Sequence, residues 1–62
     1  MTREEILSEI ELKEIKISGL RETINYFIQS GSENKIMIEQ TNKMRDRVRE
    51  LKMEVIKLKW KL

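Results

Sequence analysis

The apolar residues of this chain recur at alternating intervals of three and four, in two runs that are out of phase with each other. The first run occupies positions 3, 6, 10, 13, 17, 20, 24 and 27: Arg3, Ile6, Ile10, Lys13, Ile17, Leu20, Ile24 and Phe27, six of them apolar. The second comprises Met37, Thr41, Met44, Val48, Leu51, Val55, Leu58 and Leu62, seven of the eight apolar. A mean spacing of 3.5 held over more than three heptads is the seam of a left-handed coiled coil. From Ile24 to Thr41, equivalent positions in the two runs, is 17 residues, two heptads plus three. A single rod would have to absorb a three-residue stammer there. The slip falls at "SGSEN", Ser30 to Asn34. Turn formers cluster in that stretch, and Gly31 can adopt a left-handed backbone at little cost. The spacing therefore predicts a hairpin.

The expected fold is all-α: one antiparallel coiled-coil hairpin over residues 1–62, with helix 1 at about 3–29, a turn at about 30–33 and helix 2 at about 34–61. Thr2 and Glu5 form a capping box at the start of helix 1, and Ser32 is placed to cap helix 2. Folding the chain about Ser30–Gly31 sets a register. Ile24 comes level with Met37, Leu20 with Thr41, Ile17 with Met44 and Lys13 with Val48. Ile10 then meets Leu51, Ile6 meets Val55 and Arg3 meets Leu58. Lys13 and Thr41 are polar intrusions that weaken the seam while fixing register or partner number. Gly19 costs about 1 kcal/mol inside a helix, and a close approach of the two helices would account for it.

Sixty-two residues are few for an independent core. The chain has no cysteine and no histidine, so disulfides, thiolate metal sites and the commonest metal ligand are all excluded. Self-association is the remaining source of stability. Apolar residues outside the seam agree with it. Leu7 and Ile28 flank the first run, Leu12 and Ile15 lie on the back of helix 1, and Met53, Ile56 and Trp60 form a second stripe on helix 2. A homodimeric four-helix bundle would use such wider apolar faces. Alternatively Met53, Ile56 and Trp60 dock a helical protein partner, since Trp and Met favour recognition surfaces.

Catalysis has little to work with. The acids and bases are Glu, Lys and Asp46, and a lone hairpin offers no pocket that excludes water. Glu pairs at spacings of three or four lack the Glu-x-x-His motif of bundle di-iron sites. A non-enzymatic regulatory or interaction protein without cofactor or metal is the expectation. Charge suggests one other role. Residues 1–31 carry four Lys/Arg against six Glu, and residues 32–62 carry nine against five acids, so the halves attract. In "KMRDRVRELK", Arg45, Arg49 and Lys52 form a basic edge, continued by Lys59, that could bind RNA or DNA phosphates. The competing expectation is pairing with helix 1, with Glu14 beside Arg45. No apolar run reaches the roughly 18 residues that span a bilayer, and no signal peptide is visible, so a cytoplasmic location is expected.

Two resemblances add to this reading. The opening "MTREE" and the hairpin plan resemble the Rop-type helical hairpins, plasmid copy-number proteins that dimerise into a four-helix bundle and bind RNA. The polar residues of that RNA-binding face are largely missing, with Ile10 and Glu14 in their place. Residues 20–48, "LRETINYFIQSGSENKIMIEQTNKMRDRV", are similar in spacing to the sporulation-control aspartyl-phosphate phosphatases. Leu20, Arg21 and Gly31 fit that family. At its Ser-Gln-Glu-Leu-Asp signature stand Thr41, Asn42, Lys43, Met44 and Arg45, so both acids are replaced. Asp46 is one residue out of place, about 100° around the helix. The resemblance implies binding to a response regulator rather than dephosphorylation of it.

Overall fold

The computed structural model describes residues 1–31 and 34–62. Helix α1 spans Arg3–Gln29 and helix α2 spans Lys35–Trp60, and the two pack against each other as a hairpin. Thr2 caps α1, its hydroxyl accepting from the Glu5 amide at 3.2 Å. Helix α1 ends at Ser30, whose amide donates to the Tyr26 carbonyl at 3.0 Å. Gly31 follows at φ 66°, the left-handed position that terminates helices and that a side chain would strain. The cap of α2 is Asn34, whose side-chain oxygen accepts from the Ile36 amide at 2.9 Å. Ser32, expected in that role, lies with Glu33 outside the described residues.

The core is a single line of side chains. Ile6, Ile10, Ile17 and Ile24 of α1 and Val48, Leu51, Val55 and Leu58 of α2 are buried, with Leu20 and Met44 packed against them. Phe27, Met37 and Thr41 are half-buried towards the turn. Leu51, at 1% exposure, is the best shielded. The polar members of the seam are satisfied locally. Thr41 donates its hydroxyl to the Met37 carbonyl one turn back, at 2.9 Å. Lys13 carries its ammonium group out of the seam to Glu54, at 3.0 Å.

That ion pair corrects the expected register. Lys13 was to lie level with Val48, but its partner is six residues further along α2. Thr41, expected level with Leu20, lines a groove with Phe27 and Ile28. Arg45, expected beside Glu14, lines grooves with Arg21, Ile24 and Ile28, and Glu14 approaches Lys59 at 3.9 Å instead. Every displacement has the same sign, a slide of α2 by about one heptad, roughly 10 Å. A seven-residue slide leaves the same kinds of residue facing each other, so the apolar spacing is blind to it. The connection from Gln29 to Lys35 is five residues long, and the fold does not pivot on Ser30–Gly31.

The result is a rod with Cα extents of 45 × 14 × 11 Å. Its radius of gyration is 14.4 Å, against about 11 Å for a compact chain of this length. It exposes 5111 Å², where a compact chain of this mass would expose about 4,200 Å². Two helices side by side have no interior beyond their one line of contact.

Candidate interaction surface

With the seam spent on the hairpin, what remains for other molecules is two outer faces and two edges. The outer face of α1, opposite the seam, presents Leu12 and Ile15, each 60% exposed, and Tyr26 nearer the turn. Between Ile15 and Tyr26 sits Gly19, at which an added Cβ would meet nothing within 4 Å. Close approach of the two helices therefore does not explain this glycine. It is a notch on the outer surface. The outer face of α2 presents Met53, Ile56 and Trp60, spaced three then four residues apart. Trp60, at 83%, is the most exposed large apolar side chain among the described residues.

The two edges differ. One carries Glu9, Lys16, Thr23, Gln40, Arg47, Glu54 and Lys61, with no apolar residue. The other has Leu7 at one end and Ile28 and Ile38 by the turn, and between them Glu14, Arg21, Arg45, Lys52 and Lys59. On this second edge Arg21 and Asn25 of α1 line one groove with Arg45 of α2. Sequence reasoning missed Arg21 as a member of that basic edge, because only the corrected register brings it to Arg45.

Among the described residues the ion pairs are Lys13–Glu54, Arg47–Glu50 at 3.0 Å and the longer Lys59–Glu14. Arg45, Arg49 and Lys52 enter none of them. The expected neutralisation of Arg45 by Glu14 does not occur, since Glu14 lies towards Lys59. Glu54 has its carboxyl held below the ordinary 4.5, chiefly by the hydrogen bond from Lys13. Partial burial opposes that shift, and the charges of Lys13, Arg47 and Lys16 reinforce it. This partner of Lys13 also went unread in the sequence, for the same reason of register.

At the positions that resemble the phosphatase signature, Thr41 and Met44 turn towards the seam, while Asn42, Lys43, Arg45 and Asp46 are exposed. Among the described residues no group of three acidic side chains gathers closely enough to hold a metal ion. No described helix is long and apolar enough to cross a membrane. Compared with protein-family models, with curated proteins and with solved structures, the chain matches none of them.

Proposed function

We propose that this chain is a non-enzymatic helical hairpin that self-associates and serves as a protein–protein interaction or regulatory module. One observation carries the reading: once the hairpin is closed, Leu12, Ile15, Met53, Ile56 and Trp60 all stand in water. A single such residue is ordinary, but stripes at helical spacing on both outer faces of a chain with one line of core are not. Burial of an exposed side chain of this size contributes about 1.5–3 kcal/mol, which a 62-residue rod needs. Light scattering over a dilution series tests the proposal. The mass should exceed that of one chain at high concentration and fall on dilution. A folded monomer at every concentration would remove self-association and leave the stripes as a docking surface for another protein.

A homodimeric four-helix bundle is one form of this assembly. It would use the edges next to the seam, and the wholly polar edge from Glu9 to Lys61 suits such burial poorly.

A second reading, RNA or DNA binding, has its own support in Arg45, Arg49 and Lys52, which enter no ion pair among the described residues, and in Arg21 beside Arg45. Phosphate contacts of this kind weaken steeply with salt. Under this reading, a mobility shift of duplex or single-stranded probes should vanish on triple substitution to Ala and weaken as salt rises. A shift insensitive to both would dispose of it.

A further inference from the structure

We infer that the assembly forms by a head-to-tail contact, the outer face of α1 in one copy seated on the outer face of α2 in the next. This rests on the self-association proposed above and specifies its surface. Charge selects the pairing. The face of α1 opposite the seam carries Glu4, Glu5, Glu11 and Glu22 and no Lys or Arg. On the α2 face Arg49, Glu50 and Lys57 stand beside Met53, Ile56 and Trp60, with Glu39, Lys43 and Asp46 nearer the turn, while Lys52 and Lys59 lie on the adjoining edge. Glu50 is already paired with Arg47. A contact of two α1 faces would set Glu against Glu, whereas the α2 face offers Arg49 and Lys57.

Shape gives the alignment. With the two helices antiparallel and Leu12 opposite Trp60, Gly19 comes opposite Met53, each seven residues along. Ile15 and Ile56 then interleave between those two layers. The open notch at Gly19 receives Met53, whose unbranched chain adapts to such a gap. In the same alignment Glu22 is level with Glu50, which Arg47 already engages, and lies within one residue of Arg49. Neither Glu22 nor Arg49 has an ion-pair partner within the chain among the described residues. Neighbouring copies point the same way, since α1 and α2 already run antiparallel within each chain. Every added copy leaves one free face of each kind, so growth continues until a ring closes.

Two blocking variants decide it. Ile15→Asp disables the α1 face and Trp60→Asp the α2 face. Both positions are outside the core, so circular dichroism should show unchanged helicity at concentrations where the hairpin is folded. By sedimentation each variant alone should be monomeric where the unaltered chain is assembled. Their equimolar mixture should give a 1:1 species of twice the monomer mass and nothing larger, because one intact face of each kind remains. Assembly retained by either variant alone, or a mixture that stays monomeric, overturns the contact. If the unaltered chain is itself monomeric throughout, self-association fails as a whole. If it assembles and Ile15→Asp still does too, self-association stands and only this pairing of faces is lost.

Discussion

Lys13 and Thr41 occupy seam positions that an apolar residue would fill, and each is accommodated by its own route. Thr41 returns its hydroxyl to the Met37 carbonyl, so nothing polar in it is left unsatisfied. Lys13 lays its methylene stem along the seam and takes its charge to Glu54 at the edge. The carboxyl of Glu54 is thereby held below 4.5, which links the hairpin to pH. The unfolded chain takes up that proton at a higher pH than the folded one does, so the group's contribution is complete above 4.5. It is lost as pH falls through the lowered folded value. Urea titrations across this acidic range should show stability falling, with a shallower fall in a Glu54→Gln hairpin. An identical slope in the variant would mean that the Lys13–Glu54 pair contributes nothing to folding.

Each helix is amphipathic over seven or so turns, and neither has a second means of support. Helices in water are marginal unless an apolar stripe is covered. The core of each covers the other, with Leu51 the most enclosed point of that contact. Leu51→Asp would place a carboxylate in the middle of the line, where the seam's own cation, Lys13, is already paired with Glu54. The cost is several kcal/mol, comparable with the whole stability expected of so small a unit. Circular dichroism should show loss of helicity, and sedimentation loss of any assembly. Retention of both would mean that the seam is not what holds the helices together. The turn sets how they meet. Gly31 stops α1 and Asn34 starts α2, five residues separating Gln29 from Lys35.

As a whole the molecule is a thin rod with chemically unlike sides: an acidic outer face on α1, an outer face on α2 of mixed charge with Arg49 and Lys57 beside its apolar stripe, one polar edge and one largely basic edge. Trp60, the only tryptophan, stands on the α2 face and reports on its occupation. Its emission should move to shorter wavelength as the unaltered chain is concentrated, and should stay that of an exposed indole in Ile15→Asp. A concentration-independent spectrum in the unaltered chain would exclude the α2 face from any contact between copies. Rising salt should weaken the same transition, because the Glu residues of the α1 face and Arg49 and Lys57 of the α2 face are surface charges within reach of screening.

The two helices, the line of residues between them and the break near Gly31 were legible in the sequence, because helical period and turn chemistry are local properties of the chain. The apolar back of each helix was legible for the same reason. Register was not. A seam that repeats every seven residues has nearly the same energy after a slide of seven, so the apolar pattern offers several answers and prefers none. Only the tertiary structure chose among them, and the pairing of Lys13 with Glu54 marks the choice. With that choice came the facts that depend on it: Arg21 beside Arg45, and Glu14 turned towards Lys59 and away from Arg45.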